Sequence, residues 1–149
     1  MIINIDKLKQ MLVQEECRDS KPALKPYYDS VHKLTIGVGR NLDDVGISDR
    51  EAMFMLDNDV AKAIGLLIMN LPWVELLDEV RQRVLADTCF NMGIGDDKHG
   101  LLSFKNALYN FQLHNYERAA QHFEKSKWYR QVGTRGVKLV KMIRTGRDN

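Results

Sequence analysis

The sequence predicts an α+β fold, mostly helical, with a small sheet-bearing N-terminal lobe and a helical C-terminal lobe joined by a long helix. Three observations predict it. Two short β-prone runs, Tyr27-Tyr28-Asp29 and Leu34-Thr35-Ile36-Gly37-Val38, lie close together just beyond Pro22 and Pro26. Ser48 with Glu51 three residues on forms a capping box that opens a helical run reaching to Pro72. Beyond Pro72 the apolar spacing stays helical almost to the end.

Taken in order, a first helix should begin near Asp6, a good N-cap. Ile5, Leu8, Met11 and Leu12 form its apolar stripe, and it should stop near Cys17 because Pro22 and Pro26 break the pattern. The two β-prone runs then pair as a hairpin, and residues 41–46 read as loop. The long helix covers about 49–70, with Ala52, Leu56, Val60, Ile64 and Leu67 along one face. At ~1.5 Å per residue it is long enough to span a small domain. Further helices are expected over 74–91, stopped by Gly93 and Gly95, and over 103–113, 116–125 and 135–145. The chain thus reads as one domain, 1–149. Its first lobe covers about 13–60, its connecting helix about 49–70, and its helical lobe about 71–149 together with the N-terminal helix. Two lobes joined by a helix leave a cleft, a common place for a ligand.

Composition narrows the function classes. A chain of 149 residues, 44% apolar and 28% charged with both signs interspersed, is an ordinary globular domain rather than a disordered tail. No apolar run approaches the ~20 residues of a membrane span, so stable membrane insertion is not expected. The start, Met1-Ile2-Ile3-Asn4-Ile5-Asp6, turns polar too soon for a signal segment. The expected site of synthesis is therefore the cytosol. Cys17 and Cys89 lie far apart and read as buried thiols of a reducing compartment. There is no CxxC or HExxH, and His32, His99, His114 and His122 lack ligand spacing, so neither metal nor cofactor is expected. Net charge is +2, but it is uneven. Residues 1–117 carry 13 Lys/Arg against 18 Asp/Glu, a net −5, and residues 118–149 carry 9 against 2, a net +7. Such a basic stretch fits a polyanionic partner, and equally a solvated helix face. No helix-turn-helix or aromatic-interleaved basic stripe supports nucleic acid as that partner.

Glu15 and Glu16 sit at the end of the first amphipathic helix, beside its apolar stripe. Glycoside hydrolysis needs a protonated carboxylic acid in such a setting and a second carboxylate to activate water or to attack. Helical spacing does not choose between the two glutamates. Asp29, ending a strand, is the natural second carboxylate, and the Thr35 hydroxyl six residues on is suited to hold a water. On spacing alone, a surface glutamate and a turn aspartate are the commoner explanation.

The surrounding residues add a stronger signal. Lys25-Pro26-Tyr27-Tyr28-Asp29-Ser30 and the run Lys33-Leu34-Thr35-Ile36-Gly37-Val38-Gly39-Arg40-Asn41-Leu42-Asp43-Asp44-Val45-Gly46-Ile47-Ser48 closely resemble the phage lysozymes of glycoside hydrolase family 24. Phe90-Asn91-Met92-Gly93 resembles that family's cleft-lining segment. Ala119-Ala120, Ser126-Lys127-Trp128-Tyr129, Gln131, Arg135 and Ile143-Arg144-Thr145-Gly146 resemble its C-terminal half. The resemblance runs through nearly the whole chain, in order. It implies a lysozyme-like fold and an endolysin that cuts the β-1,4 bond between N-acetylmuramic acid and N-acetylglucosamine, probing a wall of peptidoglycan. Glu16 stands where the family has its general acid, Asp29 where it has the water-activating carboxylate, and Thr35 where it has the residue holding that water. Gly39, Leu42, Phe90, Asn91 and Met92 would line the sugar site, and Arg135 would support the acid by pairing with it. The Asp29–Thr35 pair, suited to hold a water rather than to attack, points to an inverting reaction. The polar start points to an enzyme held in the host cytoplasm until the membrane is permeabilised, with a holin as one route of release; a monomer is expected.

The sequence departs from the family pattern near the two carboxylates. The Glu16-x12-Asp29 spacing is longer than usual, and residues 18–22 look like the insertion. Cys17 replaces a glycine after the acid, His32 replaces a turn glycine before Lys33, and Arg40 replaces a histidine. Trp128 and Tyr129 read as core aromatics rather than as sugar platforms. The rival readings are a lytic transglycosylase, which needs no water-activating aspartate, and a catalytically impaired wall-binding protein. A zinc amidase lacks its ligands here.

Overall fold

In the computed structural model, which describes residues 3–148, α1 (Ile5–Glu16) begins two residues earlier than a cap at Asp6 would set it. Asn4 is the cap, its side chain accepting the Lys7 amide at 2.9 Å. Asp6 lies in the first turn, where its charge suits the positive end of the helix. The helix stops at Cys17 as expected. No residue of α1 is buried, so Ile5, Leu8, Met11 and Leu12 lie at the surface. Residues Arg18–Ser20 follow as a short 3-10 turn, with Asp19 at φ 56° and Ser20 at φ 54°.

The expected hairpin is present. β1 (Ala23–Tyr28), β2 (Leu34–Gly37) and β3 (Arg40–Asn41) form an antiparallel sheet in that order. Tyr28 faces Leu34 and Tyr27 faces Thr35, but Ala23 already faces Gly37. β1 therefore bulges between Ala23 and Tyr27. Pro26 sits inside the bulge of an edge strand, where its missing N–H breaks no ladder.

The β1–β2 turn closes through Asp29 N–H to the Lys33 carbonyl (3.0 Å) and His32 N–H to the Asp29 carbonyl (3.1 Å). This geometry requires a left-handed residue, and His32 supplies it at φ 59°. A non-glycine residue there costs roughly 1–2 kcal/mol. Glycine at the same position would lose roughly 0.5–1 kcal/mol of that gain to its freer unfolded chain. His32→Gly should therefore stabilise the protein by about 0.5–1 kcal/mol. A urea titration reads this directly, and an unchanged or lower midpoint would show that the imidazole makes up for the strain.

α2 (Asp49–Asn70) starts where the capping box placed it. Ser48 N–H and Oγ–H both donate to Glu51 Oε2, at 2.8 and 2.7 Å, and the Glu51 amide returns to Ser48 Oγ at 3.3 Å. Ala63 and Leu67 are its buried residues. The chain divides into two compact units between Phe54 and Met55. In the first, Cys17 and Thr35 are the buried residues among those described.

The second unit carries the large core. It contains α3 (Glu79–Met92), α4 (Lys105–Gln112), α5 (Tyr116–Glu124), α6 (Lys127–Val132) and α7 (Thr134–Thr145). Val84, Leu85, Leu101, Phe111, Phe123 and Ile143 are fully buried. Trp128 is buried too, edge-on to both Phe104 and Phe123. The helix expected over 74–91 divides instead. Pro72–Leu76 is a 3-10 turn, and Asp78 caps α3 by accepting the Arg81 amide at 3.1 Å. α6 escaped the sequence reading because six residues carry less than two turns of periodicity; Ser126 caps it and Gly133, at φ 56°, ends it.

Arg81 locks the end of α7. Its Nε donates to the Ile143 carbonyl at 2.8 Å and its Nη2 to the Arg144 carbonyl at 3.1 Å. Nη1 pairs with Asp78 at 2.6 Å, and the guanidinium lies 3.5 Å above the Tyr116 ring. One buried cation thereby satisfies orphan carbonyls at a helix C-terminus, where positive charge is favoured.

Candidate active site

Glu16 is the last residue of α1, and it is exposed. Its neighbour in the same unit is the Gly-x-Gly turn between β2 and β3. A methyl group in place of the Gly39 hydrogen would lie 3.1 Å from Glu16 Oε2. Gly39 has φ +69°, a backbone conformation that disfavours a side chain, and an added methyl would press on the carboxylate. Behind them Cys17 is buried, its thiol directed at the Gly37 carbonyl at 3.8 Å. Cys17 and Cys89 are both buried free thiols, as expected, and burial pushes the Cys89 thiol up from its ordinary value.

Asp29 is half-buried at the mouth of the hairpin turn. Its Oδ1 accepts the amides of Val31 (2.9 Å) and Lys33 (2.8 Å), which fix the plane of the carboxylate. Thr35, 3% exposed, donates its hydroxyl to the Lys33 carbonyl at 3.0 Å, the same oxygen that takes the Asp29 amide. Asp29 and Thr35 are thus held by one peptide group. Leu42 is half-buried just past β3, its amide bonded to the Leu34 carbonyl at 2.7 Å. Nearby, Lys33 Nζ pairs with Asp44 at 2.9 Å; this contact raises the Lys33 pKa and lowers that of Asp44.

Arg40 grips Glu51 with both guanidinium nitrogens, at 3.1 and 2.9 Å, and Nη1 also donates to the Gly46 carbonyl at 3.2 Å. The Ser48 amide, the Ser48 hydroxyl and Arg40 hold the Glu51 carboxyl at about 2, well below its ordinary 4.5. A carboxylate depressed on folding adds stability above its unfolded pKa and loses it as pH falls through the folded value. The Glu51 contribution should be whole above about pH 4.5 and vanish towards pH 2. The stability gap between wild type and Glu51→Gln, followed by urea midpoints, should narrow over that window. A gap that stays constant would contradict the assignment.

In the second unit, Phe90, Asn91 and Met92 form the last turn of α3. Phe90 is 44% exposed and lines a groove of about 260 Å³ with Leu56, Val60, Ile64, Asp87 and Arg135. Arg135 pairs there with Asp87 at 2.9 Å, a partner the sequence reading did not name. Asn91 and Met92 face a larger groove of about 850 Å³, floored by Phe104 and Trp128 and edged by Lys98, Lys105 and Lys127. The Trp128 indole donates to Asn91 Oδ1 at 2.9 Å, so this core aromatic also fixes a predicted sugar-lining side chain. Within the basic stretch, Arg135 is engaged by Asp87, and Arg144 by Glu117 and Glu124. Among the described residues, no cluster of His, Cys, Asp and Glu could hold a metal ion, and no helix is long and apolar enough to cross a membrane.

Comparison with known proteins agrees with the motifs. The family described as Phage lysozyme matches residues 21–145, a span that holds Asp29, Thr35 and every other predicted site residue except Glu16. A Dictyostelium discoideum protein named probable T4-type lysozyme 1 is 27% identical over 119 residues, covering 79% of this chain and 67% of that protein. The helical architecture with a three-stranded antiparallel sheet near the N-terminus is that of an α+β, lysozyme-like fold. The chain therefore belongs to the phage lysozyme family, the muramidase-type glycoside hydrolases that degrade peptidoglycan.

Proposed function

We propose that this chain is an endolysin that hydrolyses the β-1,4 bond between N-acetylmuramic acid and N-acetylglucosamine with inversion. Glu16 gives its proton to the glycosidic oxygen as the C1–O bond breaks. Asp29 takes a proton from a water that attacks C1 from the opposite face, and Thr35 orients that water. The observation that carries this reading is the Asp29–Thr35 pair. Both residues are anchored to the Lys33 peptide, a rigid arrangement suited to holding water rather than to following a sugar ring. Arg135 and Phe90, sharing one groove, and Gly39, Leu42, Asn91 and Met92 complete the reading as supporting and sugar-lining residues.

Lys98, Lys105 and Lys127 suit the carboxylates of the wall's stem peptides. In this reading the protein works as a monomer. It stays in the producing cell until a holin or similar lesion opens the membrane, and nucleic acid is not a partner. Proton NMR of the first products decides the stereochemistry. Inversion of a β bond releases the α-anomer first, and an initial β-anomer would overturn the mechanism.

A further inference from the structure

We propose that Arg40 is a positioning residue for the Glu16 carboxylate, acting through the backbone of Gly39. The proposal rests on the reading of Glu16 as the proton donor. Gly39 is where the acid meets the rest of its unit: a single added methyl would already crowd Oε2 at 3.1 Å. The Glu16 side chain therefore lies beside the Gly39 backbone, which forms one wall of the acid's surroundings. At φ +69° Gly39 brings no side chain to hold the turn, Gly37 two residues earlier is likewise left-handed, and Val38 between them is exposed. The next side chain along is Arg40, which does the anchoring. Its guanidinium meets the Glu51 carboxylate in a two-pronged pair and also reaches the Gly46 carbonyl. A planar fork of this kind fixes orientation as well as distance.

Glu51 is itself immobilised, because Ser48 gives it two further hydrogen bonds at the start of α2. The path thus runs from the α2 N-terminus through the Glu51 and Arg40 side chains and then along the backbone to Gly39, beside the acid. An ordinary ion pair of this exposure, about 40% for each side chain, contributes little to stability. Its effect should appear in geometry instead, and misplacing a reacting group by about 1 Å can cost up to about a hundredfold in rate.

Two readouts test this, one of them independent of catalysis. In protein carrying carbon-13 glutamate, the Glu16 carboxyl resonance reports its surroundings. Arg40→Gln should move that resonance and lower kcat by about ten- to a hundredfold with little change in KM. Arg40→Lys, which keeps the charge but not the fork, should restore part of both. Glu117→Gln, which breaks a surface pair with Arg144 in the other unit, should alter neither. The proposal is overturned if folded Arg40→Gln or Arg40→Lys leaves the Glu16 resonance in place, or if kcat falls no further than in Glu117→Gln. Should wild type itself release no sugar ends, the proton-donor reading fails, while the resonance still judges the positioning.

Discussion

Glu16→Gln is expected to lower glycan cleavage by ~10²–10⁴-fold, the usual cost of removing a general acid. The amide keeps the shape of the side chain and cannot deliver the proton that the leaving sugar oxygen needs. Glu15→Gln should stay near the wild-type rate. The two glutamates are adjacent on α1, so their side chains diverge by about 100° around the helix. It is the Glu16 carboxylate that lies against the Gly39 turn. Initial rates of dye release from labelled cell walls compare the two variants under one condition. The reverse pattern, a dead Glu15→Gln and an active Glu16→Gln, would mean that the insertion at residues 18–22 has shifted the motif by one position.

Arg81→Met should be the most damaging substitution outside the site. Methionine fills similar space, but it leaves the Ile143 and Arg144 carbonyls without their donor and removes the cation over Tyr116. Hydrogen bonds to charged groups contribute about 1.5–3 kcal/mol each and do not add fully. The Asp78 pair deserves less weight, since that carboxylate is 41% exposed and water can replace its partner. A loss of about 2–4 kcal/mol follows, or roughly 5–15 °C in Tm for a chain of this size. Arg81→Lys should recover only a fraction, because one ammonium cannot reach acceptors on two sides. Gly146→Ala should also destabilise: it strains a residue at φ 64° and drives a methyl into the same guanidinium. A calorimetric Tm within a degree of wild type for Arg81→Met would show that the α7 terminus does not depend on this contact.

Features written into neighbouring residues were legible in the sequence. The Ser48–Glu51 box and the hairpin each depend on a few adjacent side chains, and the structure has both. Local chemistry was less decisive where two residues competed for one role. Asn4 caps α1 although Asp6 is an equally good cap by type. Asp78 interrupts a run whose apolar spacing would have continued. Contacts between distant residues left no signature of their own. Nothing in the order of residues joins Arg135 to Asp87, Arg40 to Glu51, or Trp128 to Asn91. The site residues themselves were found through motif resemblance, since a glutamate, an aspartate and a threonine at these spacings are commonplace. The choice of Glu16 over Glu15 came from the motif, and the geometry adds that the Glu16 carboxylate lies beside Gly39.

The central claim is that the chain hydrolyses wall glycan with water supplied from the Asp29–Thr35 side. Digestion of purified peptidoglycan in oxygen-18 water, followed by mass spectrometry of the fragments, tests it most directly. The account predicts one heavy oxygen at each new N-acetylmuramic acid reducing end, and loss of these products in Asp29→Asn. Fragments ending in 1,6-anhydro sugars, with no oxygen-18 taken up, would contradict it and identify a transglycosylase instead.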